Sequence, residues 1–600
     1  MNRKLMMLAA VCCCAFAVMV SCQKEADPES ATDTMPFPID ENRDTATDPG
    51  DDFWQYCNGG WYARTAKPAT GAVGGMYDQS ISINAMVETI KNEDPSLKRF
   101  FQLSDELYAN SDAATAYLAG LMAKYAKPDT REECLRMFGR MIMDGITPIY
   151  LTLLNDFKDG KLVGVLATKG QSLYKYTFAD IPDVFKGDLR LIVEGMGMNP
   201  DDLYYNDVTL IVLNNLSEED LDGLYNLMPF AWTSLYQYVS EELNAAAGGA
   251  TPEKVRQNAR GTLNYLISNR LAVKYITPEL KQRFQDIMER LRDAFRERML
   301  NAEWMSETTR AAALDKLEKM SFCVGSPDNW YEDCLPDLSQ CKSLLEAVHK
   351  LTVGRTLLYK HLIGTSDGFS NNITGSGFAA TGELLLTDLT LVNSMYKQEY
   401  NAVVILPALM LPPLIRTDYS EAYLYGVTVP VAHEITHAFD SNGSNYDAMG
   451  RVRNWWTVAD KMAFEDEQKK LIQCYSTLEY DPYDHPGQYT NGAVTLAENI
   501  ADLGGFLIAR DAYIKRLEEQ GFTGEEYKEQ LRKFHEAFAT IYCMKYSDEK
   551  LHSIVTEDNH SHCRLRVNGV VMNTDLWYEL YDVDRNNALY LPKERRTYIW

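Results

Sequence analysis

The chain has 600 residues and a formal net charge of −26, with 46% hydrophobic and 24% charged residues. This length exceeds what one compact core usually holds, so we expect two lobes. The composition is that of a globular protein, and the acidic balance argues against a nucleic-acid-binding protein, which would need basic patches. A strongly negative charge is consistent with a protein that stays soluble outside the cell.

The first residues predict an export signal that is not part of the fold. An apolar run at 5–20 follows a short basic start and is shorter than the roughly 20 residues of a spanning helix. The run ends in Met19-Val-Ser-Cys22, which resembles the cleavage box of bacterial lipoproteins with Cys22 as the lipidated residue. An ordinary cleaved signal and a retained anchor are the alternatives. We therefore expect a signal peptide over 1–21 and a lipid-anchored protein of the bacterial cell envelope, and Gln23 favours the outer membrane.

Residues 22–47 are rich in acidic residues, Thr, Ser and Pro, which predicts a flexible tether. Beyond them, helical periodicity dominates from about 85 to 365. Apolar residues recur at i, i+3 and i+4 across 255–303, and Thr251-Pro252 has the pattern of a helix start.

Strand signals are sparse in this part of the chain. The runs at 161–168 and 173–178 predict a hairpin. Val403 to Leu406 has the β-branched, apolar character of a buried strand.

The most informative motif is His433-Glu434-Ile435-Thr436-His437. On a helix, positions i and i+4 share one face, so both imidazoles can bind one zinc ion. Glu434 lies beside the first histidine and can act as the general base toward the attacking water. Chance is the alternative explanation, so the remainder of a site has to be found elsewhere in the sequence.

A catalytic zinc site needs a third protein ligand. Asp440 lies at i+7 from His433, on the same face, and is one candidate. Glu498 and Asp502 are better placed, because at i and i+4 one carboxylate can bind the metal while the other orients an imidazole through its distal N–H. A solvated acidic face is the alternative, although the apolar residues around the pair favour a packed helix.

The segments His433–Asp440 and Glu498–Gly505 resemble the motifs of the neprilysin and endothelin-converting-enzyme family of zinc peptidases. Other segments resemble that family in the same order along the chain. They are 49–61, 316–320, 326–330, 392–396, 407–413, 443–447, 454–457, 560–567 and Trp600. The resemblance therefore runs from about residue 48 to the last residue.

The resemblance implies a metal site with one Zn²⁺ per chain. His433, His437 and Glu498 would be the zinc ligands. Asp502 would hydrogen-bond one of the two zinc-binding histidines, and Asp440 would support the other from outside the ligand set.

The resemblance also implies roles in catalysis and substrate binding. Glu434 would be the general base, and His560 would stabilise the oxyanion, with Asp502 as the third member of the catalytic set. Arg566 would hold substrate carbonyl groups. Asn393 and Ser394 would be substrate-binding residues, Asn393 by pairing with the substrate backbone, and Ser394 stands at a position where the family usually has alanine.

The implied fold is mainly α-helical (α+β), with two lobes around a central cavity. A thermolysin-like catalytic lobe would combine residues 48–84 with 366–600, and a larger helical insert at 85–365 would restrict access. The implied partners are short peptides, without nucleic acid, and with membrane contact only through the lipid anchor. A monomer is expected.

The implied activity is zinc-dependent endopeptidase cleavage of short oligopeptides on the N-terminal side of hydrophobic or aromatic residues. Val73 stands where some family members have an arginine that grips a substrate carboxylate, so we expect little release of C-terminal dipeptides. One alternative is a catalytically silent, peptide-binding lipoprotein of the same fold. Another is a metallopeptidase of a different lineage with Asp440 as a ligand, in which Glu498→Ala would keep zinc.

Eight cysteines lie beyond the leader: Cys57, Cys134, Cys323, Cys334, Cys341, Cys474, Cys543 and Cys563. Export permits disulfides without requiring them. Cys543 matches a family cysteine, and Cys57 is one position from its expected partner, so the resemblance favours a Cys57–Cys543 disulfide. Cys334 and Cys341 are close enough in sequence for a small loop, which the sequence leaves undecided.

Overall fold

The computed structural model describes residues 39–158, 161–168, 174–328, 330–363, 388–416 and 420–600. The predicted signal peptide, Cys22 and most of the predicted tether lie outside the described residues. The packed chain begins before the expected boundary at residue 48. Asn42 is buried, and Arg43 forms an ion pair with the buried carboxylate of Glu536. Polar contacts with the rest of the fold therefore explain why the packed chain begins this early.

The fold is mainly helical, with small sheets, which confirms the predicted fold class. The helices in chain order are α1 (Phe53–Arg64), α2 (Gly75–Glu93), α3 (Pro95–Glu106), α4 (Ser111–Lys124), α5 (Arg131–Met143), α6 (Asp183–Gly195), α7 (Asp207–Ser217), α8 (Leu221–Tyr225), α9 (Met228–Tyr236), α10 (Glu241–Ala246), α11 (Pro252–Gly261), α12 (Asn264–Tyr275), α13 (Pro278–Asn301), α14 (Glu307–Glu318), α15 (Leu344–Leu362), α16 (Glu421–Val427), α17 (Val429–Thr436), α18 (Val458–Ser476), α19 (Leu496–Glu519), α20 (Gly524–Ile541), α21 (Asp548–Glu557), α22 (Cys563–Val571) and α23 (Asp575–Leu580).

Capping residues explain where several helices begin. The Thr251 side chain accepts a hydrogen bond from the Lys254 N–H, with proline at the next position, which confirms the helix start predicted there. The periodic stretch 255–303 is divided among α11, α12 and α13. Thr277 caps α13 in the same way, and Pro278 follows it, so the sequence interrupts the helix at that point.

The strands are β1 (Ala72–Val73), β2 (Thr152–Lys158), β3 (Lys161–Ala167), β4 (Leu203–Tyr205), β5 (Ser321–Val324), β6 (Ser394–Lys397), β7 (Ala402–Ile405) and β8 (Lys545–Tyr546). They form three sheets within the described residues, β1-β8, β2-β3-β4 and β5-β7-β6. The fully buried β7 confirms the strand predicted before the histidine motif. It lies between β5, which is parallel to it, and β6, which is antiparallel.

The predicted hairpin of 161–168 with 173–178 is wrong. β3 pairs instead with β2, which precedes it, and Tyr176 makes a single bridge to Tyr205. The sequence between β2 and β3 is Asp159-Gly160, a dipeptide that favours hairpin turns and that outweighs the apolar run downstream.

The described chain divides into two compact units. Unit 1 comprises residues 90–266 and 330–363, and unit 2 comprises the other described residues from 39 onward. Residues 267–328 therefore belong to unit 2, whereas the sequence analysis placed them in the helical insert. Side-chain and strand contacts explain the difference, because Arg298 of α13 pairs with Asp511 of α19 and β5 pairs with β7.

The predicted Cys57–Cys543 disulfide is wrong, because both residues are free thiols in the structure. Burial raises the pKa of each thiol well above its usual value, so each behaves as an unreactive buried thiol in the folded chain. Cys334 and Cys341 are free thiols as well. Among the described helices, none combines the length and the apolar character needed to cross a membrane.

Candidate active site

Helix α17 carries the histidine motif through the core of unit 2. Pro430 lies in its first turn, where proline needs no hydrogen-bond partner for its nitrogen. Every residue of the helix is buried, and His433 is only 4% exposed. His437 follows the last helical residue and begins a 3-10 turn, and its ring centroid lies 4.5 Å from that of His433.

Two glycines bring α19 close to α17. A Cβ atom on Gly505 would lie 2.5 Å from the backbone nitrogen of His433, and one on Gly504 would lie 2.4 Å from the Thr436 side chain. Larger residues would therefore push the helices apart. The close approach places Glu498 and Asp502, one turn apart on α19, beside the histidines.

Three imidazole nitrogens converge on one oxygen of Glu498. Its Oε2 lies 3.2 Å from Nε2 of His433, 3.5 Å from Nε2 of His437 and 3.1 Å from Nε2 of His560. This oxygen is buried, yet it has no well-aligned hydrogen-bond donor within the described chain. Such a buried acceptor needs a positive partner.

Each motif histidine is oriented by a carboxylate on its other ring nitrogen. Nδ1 of His433 lies 2.8 Å from Oδ1 of Asp502, and Nδ1 of His437 lies 2.7 Å from Oδ2 of Asp440. A proton held on Nδ1 leaves the Nε2 lone pair of each ring directed toward Glu498.

The two orienting carboxylates are themselves held in different ways. Arg566 donates to both oxygens of Asp502, at 2.8 and 2.6 Å. Burial acts to raise the pKa of Asp502, but Arg566 and His433 outweigh it and hold that pKa well below its usual range. Asp440 instead accepts the backbone N–H groups of Asn442 and Gly443, at 2.7 and 2.6 Å.

Glu434 lies between the two histidines in sequence and faces strand β6. The Ser394 hydroxyl donates a hydrogen bond of 2.9 Å to Oε1 of Glu434, and both side chains are buried. Asn393, the residue before β6, is exposed. The side chain of Ser394 therefore contacts the predicted base itself.

His560 is held on the opposite side of Glu498. Asp558 accepts hydrogen bonds from the His560 backbone N–H and pairs with its Nδ1, at 2.9 and 2.7 Å. Burial acts to lower the pKa of His560, but the hydrogen bond with Asp558 and the nearby Glu498 carboxylate raise it to about 9. Asn559 donates to Oε1 of Glu498 at 2.9 Å and so fixes that carboxylate from the other side.

Three residues that support the site were not predicted from the sequence. Asp558 carries a local signal, because such side chains often bond the backbone N–H two residues on, as Asp558 does with His560. Asn559 carries none, because its partner Glu498 is distant in the chain. Lys316 carries none, because its partners are the carbonyl groups of Ala438 and Gly443, more than a hundred residues away, and of Tyr446. This buried ammonium group holds the segment that contains Asp440.

The donor set fits a zinc ion. Ligand atoms of His433, His437 and Glu498 all lie within 4.8 Å of one another. Two imidazole nitrogens and one carboxylate, with the distal nitrogens on carboxylates, are the usual surroundings of a catalytic zinc. The unsatisfied Oε2 of Glu498 is the atom that an ion would satisfy.

Comparison with known proteins identifies the family. Profiles of peptidase family M13 match residues 393–597 and 214–327, together more than half of the chain. This chain belongs to peptidase family M13. The matched regions include the histidine motif, Glu498 and His560, and the membership confirms the family that the motifs indicate.

Curated relatives of this member of family M13 share about a quarter of the aligned residues. The neutral endopeptidase of Lactococcus lactis is 27% identical over 331 residues, 54% of this chain and 48% of that protein. The human membrane metallo-endopeptidase-like 1 is 26% identical over 359 residues, 58% of this chain and 45% of that protein. The chain thus spans about half the length of the curated relatives it matches.

Solved structures show the same fold. The Mycobacterium tuberculosis zinc metalloprotease ZMP1 in its open state has a TM-score of 0.72 and 20% identity, and the match covers 92% of this chain and 100% of that chain. PEPO from Lactobacillus rhamnosis has a TM-score of 0.57 and 18% identity, with 92% and 100% coverage.

Proposed function

We propose that this M13 peptidase is a zinc-dependent endopeptidase that hydrolyses short peptides. The observation that carries the proposal is the convergence of His433, His437 and Glu498 within 4.8 Å, next to the buried carboxylate of Glu434. The names of the curated relatives support the same activity, since they are called endopeptidases.

His433, His437 and Glu498 would hold the ion. A zinc ion bound there would supply a Lewis acid for the scissile carbonyl and lower the pKa of the attacking water. The protein contributes the remaining chemistry. Asp502 and Asp440 keep the protons of both imidazoles on Nδ1, so that each Nε2 remains an electron-pair donor.

Proton transfer would fall to Glu434. Its carboxylate can take a proton from the attacking water and pass it to the leaving amine, which is the usual task of a positioned general base. His560 would donate a hydrogen bond from Nε2 to the developing oxyanion. A donor of that kind typically contributes about 2.7–4 kcal/mol to transition-state stabilisation.

Strand β6 would bind the substrate as an added strand. In its sheet β6 pairs only with β7 among the described strands, which leaves its other edge available for an extended peptide. The exposed Asn393 just before β6 would contribute to this backbone grip, and Arg566 to the binding of substrate carbonyl groups. We propose cleavage before hydrophobic or aromatic residues, and endo cleavage because position 73 is valine.

Hydrolysis of a mixed peptide pool by residues 23–600 tests the function, in parallel with Glu434→Gln and with zinc content measured for both. We expect one zinc in each protein and cleavage by the parent only. Glu421→Gln, at a partly exposed position on α16 paired with Arg516, is a control that should cleave normally. Zinc in both proteins without cleavage in either would favour the peptide-binding alternative. Products consisting mainly of C-terminal dipeptides would contradict the endo mode.

We also propose that the chain is lipid-anchored through Cys22 in the bacterial cell envelope. The support is the sequence around Cys22, which resembles a lipoprotein cleavage box. Metabolic labelling with a fatty acid should mark the full chain and not its Cys22→Ser variant. Equal labelling of both would contradict the anchor.

A further inference from the structure

The contact between Ser394 and Glu434 joins two elements of the site. Ser394 is the first residue of β6, and its register partner on the central strand is Ile405. Its hydroxyl donates to Oε1 of Glu434 over 2.9 Å, and the two residues are 7% and 8% exposed. A hydrogen bond between a neutral donor and a buried carboxylate is stronger than most.

This hydrogen bond differentiates the two oxygens of the Glu434 carboxylate. Oε1 is engaged by Ser394, whereas Oε2 has no hydrogen bond to any residue in the described ranges. The last torsion of a glutamate side chain is broad and poorly determined by itself. With Oε1 fixed, the direction of Oε2 is fixed too, and Oε2 remains the oxygen that can accept a proton.

The position of Ser394 argues against the role in substrate binding that the sequence suggested. Successive residues along a strand direct their side chains to opposite faces. Asn393 is exposed and Ser394 is buried, in agreement with this alternation. The hydroxyl of Ser394 is therefore turned to the base and away from the exposed side where Asn393 lies.

We propose that Ser394 is a positioning residue that orients the general base Glu434. This inference rests on the proposed function. Because β6 would also carry the substrate, the same hydrogen bond ties the base to the strand along which the scissile bond lies.

Steady-state kinetics of Ser394→Ala tests the proposal. We expect kcat to fall about tenfold, in the range for a hydrogen bond to a charged group, with KM changed less than about twofold. A role in substrate binding would instead raise KM and leave kcat unchanged, and that result would overturn the proposal. An unchanged kcat with an unchanged KM would overturn it as well.

Ser321→Ala is the matched control. Ser321 is also buried and also the first residue of a strand in the same sheet, but its hydroxyl has no hydrogen-bond partner in the described chain. This variant should keep the parent values of kcat and KM. A loss equal to that of Ser394→Ala would assign the effect to packing and overturn the proposal.

A double-mutant cycle on the zinc-free protein tests the contact without relying on activity. Ser394→Ala should lower the apparent melting temperature by about 1–2 °C in the parent background and leave it unchanged in the Glu434→Ala background. Equal shifts in both backgrounds would overturn the proposal. If the parent cleaves no peptide, the proposed function fails, whereas this cycle still decides whether Ser394 holds Glu434.

Discussion

The two motif histidines face the same carboxylate, but the protein holds them by different means. His433 is inside a helix, and its orienting Asp502 is paired with the guanidinium of Arg566. His437 lies beyond the helix end, and its orienting Asp440 is held by backbone N–H groups of a turn that the Lys316 ammonium ties down.

The site therefore orients its two motif histidines by two different physical means. On the His433 side, helix packing and a buried ion pair fix the imidazole. On the His437 side, hydrogen bonds between side chains and the main chain of an irregular segment do so. The orientation of His433 depends on the balance of charges in a buried ion pair. The orientation of His437 depends on hydrogen bonds that satisfy backbone N–H and carbonyl groups.

The largest expected effect is at the ligand that both sides share. Glu498→Gln should lower zinc affinity by more than the roughly 10–100-fold that loss of an outer partner costs, and peptide cleavage should disappear with the metal. A chelator-competition assay measures the affinity. Retention of parental zinc affinity would support the lineage in which Asp440 is the ligand.

Asp502→Asn and Asp440→Asn compare the two sides directly. Each should lower zinc affinity about 10–100-fold, because each leaves an imidazole without its carboxylate. Asp502→Asn should also lower the free energy of unfolding by up to about 3–5 kcal/mol, since it removes the charge partner of Arg566, whose side chain is largely buried. Denaturant unfolding of the zinc-free proteins measures the loss of stability in each variant. Equal losses in Asp502→Asn and Asp440→Asn would contradict the difference between the two sides.

Lys316→Met tests the backbone-held side. Three carbonyl groups would lose their donor, so we expect unfolding to become easier by about 3 kcal/mol and zinc binding to weaken through His437. Lys319→Met, at a more exposed position just after α14, is the matched control and should change stability by less than about 0.5 kcal/mol. Urea unfolding of both variants provides the comparison. Equal unfolding curves would show that Lys316 does not stabilise the segment that contains Asp440.

Glycine substitutions should produce the smallest effects. A Cβ atom on Gly505 would meet the backbone of His433, and one on Gly443 would lie 1.8 Å from the carbonyl oxygen of His437. Each alanine variant should cost about 1–3 kcal/mol through overpacking. The rigid helix pair should accommodate Gly505→Ala less well than the turn accommodates Gly443→Ala. Thermal unfolding of both variants measures the two losses of stability. A larger loss in Gly443→Ala than in Gly505→Ala would contradict this expectation.

The sequence predicted those parts of the structure that local spacing determines. The helix of the histidine motif and the pairing of Glu498 with Asp502 on one helix follow from i, i+4 spacing, and the buried strand β7 follows from a short run of apolar, β-branched residues. The assignment of residues 267–328 to unit 2 did not, because it depends on contacts such as Arg298–Asp511 that are far apart in the chain. Long-range packing also explains why the role of Lys316 and the contact of the predicted site residue Ser394 with Glu434 were not foreseen, since neither leaves a local pattern.

X-ray absorption at the zinc edge of the purified protein examines the proposed ligand set itself. We expect one zinc per chain with two imidazole nitrogens and a carboxylate oxygen at about 2.0–2.2 Å, and a changed shell or loss of metal in Glu498→Gln. An absence of zinc, or a shell without two imidazoles, would contradict it. An identical spectrum from the Glu498→Gln variant would contradict it as well.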